Sequence, residues 1–353
     1  MAYEYRTKML RRNISERELD AILVCDEKNI FYLTGFSWGA RLLVPAEGDS
    51  ILLVHSVNYE AAKNLAKNLV IELVRINEKM ERKVSDIILK REFKSIGFDR
   101  LDVYEYQKMK SFLGEVTFEL LEDLVLSLRK VKDEDELACI KRAAELTSRG
   151  MERALNVIRP GIKEWEIAAE AEYEMRKLGS NGIAFDTIVC SGPKSAYPHG
   201  GLYEREIRDG DFVVVDIGAK YHGYCADMTR TVIVGEGTRI QKHIHKIVSE
   251  TQKIAISLIR DGVMARDVDN AARKFIEESG YGDYFVHNLG HGVGLDIHEP
   301  PILGPLSEDL LLTNNVITVE PGIYIPGLGG VRIEDTILVC REGSVKLTTL
   351  NSE

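Results

Sequence analysis

The chain has 353 residues, of which 44% are hydrophobic and 29% charged, a balance that describes a soluble globular protein with one large or two ordinary domains. A formal net charge of −10 argues against a nucleic-acid partner, which would need a basic face. No apolar run reaches about eighteen residues, so no membrane span is expected.

The start, Met1-Ala-Tyr-Glu-Tyr-Arg6, lacks the apolar core of a secretion signal, which predicts a cytoplasmic location. Cys25, Cys139, Cys190, Cys225 and Cys340 are scattered and odd in number, as small buried hydrophobes in a reducing compartment would be. Through the first third, residues 20–25, 29–34, 41–45, 50–55, 70–74 and 95–99 read as strands. Helices interleave them near 58–69 and 103–113. This alternation predicts a small α/β domain, and without a phosphate-loop or dinucleotide glycine pattern it shows no chemistry of its own.

The charged run 129–136 marks a junction, dividing the chain into domains at 1–127 and 128–353. There Asp133 and Glu136 predict a capping box. Leu137, Ile140, Ala144, Met151, Leu155 and Ile158 then keep helical spacing until Pro160-Gly161. Beyond the junction the order of elements repeats. A helix to 158, a helix at 163–178, a strand at 185–190 and a hairpin over 212–235 come first. Helices at 238–259 and 266–279, a strand near 284–289 and a strand pair, 316–320 with 331–338, follow.

The chemistry lies in the two strand pairs. In Asp211-Phe-Val-Val-Val-Asp216-Ile-Gly-Ala-Lys-Tyr-His-Gly-Tyr-Cys-Ala-Asp227, a turn centred between Tyr221 and His222 places Asp216 directly opposite Asp227. Opposed like charges at about 4.5–5.5 Å are destabilising, so this pair needs a cation, a shared proton or an arginine. In the second pair, period-two alternation puts Val316, Thr318 and Glu320 on one face, and Arg332 with Glu334 on one face. A lone strand glutamate is ordinarily a surface group; four acids in two matched pairs weigh against that.

His287, His291 and His298 share one glycine-rich segment, whose glycines allow close backbone approach, and His199 lies in the loop 191–200. His222, His243 and His245 read as solvated surface, His55 as structural, and His287 as a core or supporting histidine. Four carboxylates with imidazole form an oxygen-rich set suited to two divalent ions such as Mn, Co, Fe or Zn, unlike a thiolate zinc site. Metals about 3.5–4 Å apart can polarise a carbonyl, so metal-assisted hydrolysis is the expected reaction class.

At these residues the chain resembles the pita-bread metallopeptidases: prolidase (Xaa-Pro dipeptidase), aminopeptidase P and methionine aminopeptidase. The matching segments are Phe185-Asp-Thr-Ile-Val, Pro198-His-Gly, Val215-Asp-Ile-Gly, Ala226-Asp-Met-Thr-Arg-Thr, Gly290-His-Gly-Val-Gly, Ile297-His-Glu, Val319-Glu-Pro-Gly and Val331-Arg-Ile-Glu-Asp. The resemblance implies Asp216, Asp227, His291, Glu320 and Glu334 as ligands of two divalent ions, with Asp227 and Glu334 bridging. It further implies that Glu320 relays a proton to the leaving amine. His298 would meet the oxyanion or the substrate peptide, and His199 the substrate's C-terminal side. Arg332 would orient a carboxylate or a substrate group, or form a salt bridge within the site.

The extra N-terminal domain is similar to that of prolidases and aminopeptidases P, and Tyr32-Leu-Thr-Gly-Phe36 and Ser37-Trp-Gly-Ala-Arg41 resemble its start. The resemblance implies a homodimer in which Trp38 or Arg41 caps a neighbouring cleft, against ordinary domain packing. Tyr197 departs from the smaller aliphatic residue of the prolidase pattern, a change expected to alter the pocket beside His199. The expected fold is an α/β N-terminal domain followed by an α+β pita-bread catalytic domain. The expected function is hydrolysis of Xaa-Pro dipeptides. The alternatives are an aminopeptidase P acting on longer peptides and, further off, a non-catalytic binding member, which would have lost ligands that this chain retains.

Overall fold

The computed structural model describes residues 2–66, 69–200 and 204–350. The chain divides into two compact units between Arg129 and Lys130. The first contains, in chain order, α1 (Ala2–Glu16), β1 (Ala21–Val24), α2 (Glu27–Thr34), β2 (Arg41–Pro45), β3 (Ile51–His55), α3 (Tyr59–Leu65), β4 (Val70–Val74), α4 (Met80–Lys90), β5 (Ser95–Phe98), α5 (Val103–Leu113), β6 (Thr117–Leu120) and α6 (Asp123–Lys130). Its six strands form one sheet in the order β4-β3-β2-β1-β5-β6. The central pairs β1–β2 and β2–β3 are antiparallel and the outer ones parallel. Residues 127–128, the expected boundary, fall inside α6.

Residues 29–34 are a correction: they form a helix, not a strand. The Asp26 side chain accepts from the Lys28 and Asn29 backbone N–H groups, and Gly35 closes the helix in the left-handed region at φ 71°. These caps outweigh the β-propensity of Ile30-Phe31-Tyr32. The helix expected over 58–69 is α3, which ends at Leu65; positions 67–68 lie outside the described residues.

The second unit opens with α7 (Glu134–Val157) and α8 (Glu164–Lys177). The capping box on α7 is formed, with the Asp133 side chain accepting from the Glu136 N–H and the Glu136 side chain accepting from the Asp133 N–H. Strands β7 (Gly182–Ile183), β8 (Ile188–Ser191), β9 (Phe212–Ile217), β10 (Ala219–Tyr221), β11 (Tyr224–Cys225) and β12 (Met228–Ile233) follow. Helices α9 (Arg239–Leu258) and α10 (Ala265–Glu278) come next. The chain closes with β13 (Gly290–Gly292), β14 (Glu299–Leu303), β15 (Val316–Val319), β16 (Gly322–Ile325), β17 (Gly329–Arg332), β18 (Glu334–Cys340) and β19 (Gly343–Lys346). An antiparallel sheet runs β14-β13-β15-β18-β12-β9-β8, with β19 on β18. Helices α7 and α8 bury Leu146, Ile167 and Met175 against Val213, Val215 and Met228. Helices α9 and α10 bury Val248, Val268 and Ala272 against Ile317, Val319 and Ile337. Each helix pair thus covers one half of the same sheet.

Three strand expectations are corrected here. Asp216 pairs with Thr229, not with Asp227. The turn centres on His222 and Gly223, both at positive φ (47° and 86°), a two-residue turn whose twist suits a hairpin. The register is therefore displaced by two residues. A displacement of one would have turned Asp216 toward the helices; two keeps Asp216 and Asp227 on the same face as diagonal neighbours. Residues 331–338 are not one strand. The chain breaks at Ile333, because 329–332 pairs with β16 while 334–340 pairs with β15 and β12. Finally, 284–289 is not a strand; the strand of that region is β13, around His291.

Candidate metal centre

Five neighbouring strands of the sheet each bring one ligand-type side chain to the face opposite the helices. In spatial order these are His291 on β13, Glu320 just past β15, Glu334 on β18, Asp227 just before β12, and Asp216 on β9. Thr229 pairs with both Asp216 and Glu334, so the three stand in one row across β9, β12 and β18. Val319, Met228 and Val215, one residue out of phase, point into the helix-covered core.

The histidine arrives through close backbone contact. A Cβ on Gly290 would lie 2.1 Å from the Thr318 carbonyl oxygen, and one on Gly292 would lie 2.4 Å from that of Pro300. Gly290→Ala is therefore expected to push β13 off β15, costing about 1–3 kcal/mol by overpacking and displacing His291. Thermal denaturation and metal titration calorimetry check this; an unchanged midpoint with unchanged affinity would refute it.

Ligand-type atoms of Asp227, His291 and Glu334 lie within 4.8 Å of one another. His291 Nε2 is 3.3 Å from Glu320 Oε1 and 3.8 Å from Asp227 Oδ2. The remaining contacts hold one oxygen of a carboxylate and leave another. Thr229 Oγ1 donates to Glu334 Oε2 at 2.6 Å, and Arg332 Nη2 donates to Asp216 Oδ2 at 2.5 Å. Glu334 Oε1, Asp216 Oδ1 and Asp227 Oδ1 are buried without a hydrogen-bond donor. Buried carboxylate oxygens ordinarily have partners. Three orphans beside an imidazole, in a set of hard oxygens and one nitrogen, fit a divalent cation. The electrostatics agree. Burial, then Glu334, Asp216 and Glu320, hold the Asp227 carboxyl well above its usual range. Glu334 is raised by burial and by Glu320 and Asp216. Burial pushes Glu320 up to about 8 and pulls His291 down to about 3, which leaves the imidazole neutral, the form that binds a metal.

Arg332 is committed within the protein. Besides Asp216, it donates from Nε to Thr229 Oγ1 at 3.2 Å and from Nη1 to the Pro198 carbonyl at 3.1 Å and to Tyr324 Oη at 2.9 Å. It thereby orients a carboxylate and anchors the turn that carries His199. Because Arg332 donates to Tyr324 Oη, the phenol proton is free to go to His287 Nε2 at 2.9 Å. His287 Nδ1 then donates to the Asn288 carbonyl at 2.7 Å. Burial lowers His287 to about 4, so it stays neutral as this chain of bonds requires. His298 is exposed on the cleft side, and its ring meets that of His291 edge-to-face at 4.2 Å.

His199, His287, His291, His298, Arg332 and the four acids line one cleft of about 490 Å³, with Phe185, Ile188, Ile297 and Ile302 as its apolar wall. A larger cavity, about 570 Å³ among Tyr3, Arg11, Leu33 and Leu65 of the first unit, has no comparable carboxylate–imidazole group, so size does not locate the chemistry. Tyr197 is exposed and does not line the cleft, contrary to the expected change beside His199. Arg41 is paired with Glu105, and Trp38 is exposed beside Phe36. His55 is exposed, and His245 bonds the Thr231 carbonyl at 3.0 Å instead of being a solvated residue. Thr229 and Tyr324 were not singled out from the sequence, and Thr318 was placed only on the face of Glu320, without a role. The signal for Thr229 was a polar residue alternating with Asp227 in a buried strand.

Residues 138–341 match Metallopeptidase family M24, and residues 6–131 match the Creatinase/Prolidase N-terminal domain. The chain belongs to metallopeptidase family M24. Its N-terminal α/β domain and α+β pita-bread catalytic domain are those expected. An Xaa-Pro dipeptidase of Pyrococcus furiosus is 38% identical over 350 residues, covering 99% of both chains. The solved Xaa-Pro dipeptidase from Bacillus anthracis superposes with a TM-score of 0.94 at 37% identity, covering 99% of each chain. An X-Pro aminopeptidase from Thermotoga maritima gives a TM-score of 0.87 at 37% identity, covering 96% of this chain and 98% of that one. No helix among the described residues of this M24 chain is long and apolar enough to cross a membrane.

Proposed function

We propose that the protein is an Xaa-Pro dipeptidase using two divalent ions, drawn from Mn, Co, Fe or Zn, held by Asp216, Asp227, His291, Glu320 and Glu334. The observation that carries the hydrolytic part is the trio of buried carboxylate oxygens without donors beside a neutral His291. The full-length similarity to the Pyrococcus furiosus Xaa-Pro dipeptidase supports the substrate. The ions, when bound, supply Lewis-acid polarisation of the scissile carbonyl and a more acidic water.

The chain's own residues do the rest. Glu320, half-buried and accepting from Thr318 Oγ1 at 3.2 Å, takes the proton of the attacking water and returns it to the proline nitrogen as the C–N bond breaks. His298, on the open side of the cleft, donates to the developing oxyanion. His199 meets the free carboxylate of proline. Arg332 acts from behind, holding Asp216 and the turn at Pro198. An Xaa-Pro bond has no N–H and a rigid ring, so recognition falls to the apolar wall and the carboxylate.

The five free cysteines support a reducing, cytoplasmic setting, and homodimer assembly carries over from the family resemblance alone. The Thermotoga maritima neighbour favours a second reading, an aminopeptidase for longer peptides. With Mn(II) or Co(II), kcat/KM for an Xaa-Pro dipeptide is expected to exceed that for Xaa-Pro-Yaa by about tenfold or more. Preference for the tripeptide overturns the dipeptidase reading. Hydrolysis of neither, with no divalent ion in the purified protein, would leave a non-catalytic binding member.

A further inference from the structure

Beside the cleft residue His298 in the chain, Glu299 belongs to a buried ion pair. Lys132 Nζ is 2.8 Å from Glu299 Oε1, and the two side chains are 0% and 2% exposed. Taking two such charges out of water costs on the order of several kcal/mol per ion, whereas apolar residues of like volume pack without that cost. Apolar packing does not require this pair, and its neighbours indicate what it holds in place.

Glu299 directly follows His298 and opens β14. Its Oε2 accepts from the Asp296 backbone N–H at 3.3 Å, so one carboxylate braces the loop 294–299 from inside. Gly294 leaves room for it: a Cβ there would fall 2.3 Å from Glu299 Oε1. The loop is also tied to the first hairpin, where the Cys225 N–H donates to the Gly294 carbonyl at 2.8 Å. Lys132 is fixed in turn. Its backbone N–H donates to the Asn314 carbonyl at 3.1 Å. Its Nζ donates to the Lys130 carbonyl at 3.3 Å, which also accepts from Asn315 Nδ2 at 2.9 Å. An anchored cation therefore grips the residue adjoining an exposed histidine of the cleft.

We propose that Lys132 is a positioning residue for His298, acting through Glu299, so that the ion pair sets where the imidazole stands over the cleft. The kinetic arm of the test rests on the Xaa-Pro hydrolase reading; the crystallographic arm does not. In K132M/E299M an apolar pair replaces the charges, an exchange that is often neutral or stabilising, so the protein is expected to fold. K132M alone removes the cation that faces the buried Glu299 carboxylate and is expected to melt earlier.

The double substitution is expected to lower kcat about tenfold or more in the parent but less than about twofold in the H298A background, because residues acting through one another are non-additive. Equal losses in both backgrounds overturn the proposal and reduce the pair to a structural brace. In a crystal structure of metal-loaded K132M/E299M, the His298 ring is expected to have left its 4.2 Å contact with His291; an unmoved ring overturns the proposal even if the parent hydrolyses no Xaa-Pro peptide. Should the double variant not fold, the isosteric E299Q carries the same two measurements.

Discussion

Asp227→Asn is expected to cut Xaa-Pro hydrolysis by about a thousandfold or more, on the order of 4 kcal/mol, while leaving the metal-free protein at least as stable as its parent. The two effects have one cause. Asp227 is buried against Glu334, Asp216 and Glu320, and its carboxyl is held well above the usual range by that burial and repulsion. Its Oδ1 has no donor in the protein. An uncharged amide removes repulsion and can donate to a neighbouring carboxylate, so the fold loses nothing that holds it together. A cation loses a buried anionic ligand, and the nucleophile and carbonyl lose the charge that activates them. Elemental analysis should give substoichiometric metal, and melting in chelator a midpoint equal to or above the parent's. Full metal occupancy with near-parent turnover would remove Asp227 from the centre. A large fall in the chelated midpoint would mean that its carboxylate has a structural partner.

The parts of this site that were legible in the sequence are those whose anomaly is local. A carboxylate in a β-branched apolar run, such as Asp216 within Val213–Ile217, announces itself because burying an unpaired charge is costly. The long helices were legible for a similar reason. Period-3.6 apolar spacing and a capping box fix α7 within a residue or two. What was not legible depends on pairing between distant segments. Val331-Arg-Ile-Glu-Asp-Thr-Ile-Leu carries no glycine or proline, yet the strand changes partner at Ile333 because β16 claims one half and β15 with β12 the other.

Register hid the second tier of residues as well. Thr229 matters because it stands between Asp216 and Glu334, and that row exists only once the hairpin turns at His222-Gly223. Tyr324 and Lys132 are ordinary residues in their own segments; each gains a role from a partner supplied by another part of the fold, Arg332 and Glu299 respectively. Residues 29–34 failed for the opposite reason. Their apolar run was read by β-propensity, and the caps that decide for a helix, Asp26 and Gly35, lie outside that run and went unread.

Stripped of metal by chelation, the protein is expected to lose stability as pH rises from about 6.5 to about 8, while the midpoint gap to the metal-loaded form widens. Burial pushes Glu320 from 4.5 up to about 8, and Asp227 and Glu334 move in the same direction. A carboxyl raised on folding binds more proton in the native than in the unfolded chain between its two values. Its contribution is therefore complete below the unfolded value and lost as pH climbs through the folded one. His291 and His287 act with the opposite sign. Burial lowers them from 6.5 to about 3 and about 4, so their contribution is present above 6.5 and lost as pH falls toward those values. Below 6.5 the two sets oppose each other. Above it the unfolded imidazoles lose their remaining protons within about one pH unit, and the raised carboxyls dominate, at a cost on the order of 2 kcal/mol for Glu320 across the interval. Metal binding requires the deprotonated ligands, so affinity rises over the same interval and the loaded form gains what the stripped form loses. Melting series in chelator and in excess Mn(II) test this together. A stripped midpoint that stays level or rises between about pH 6.5 and about 8 would show that the acids of the cleft are not crowded and buried as described.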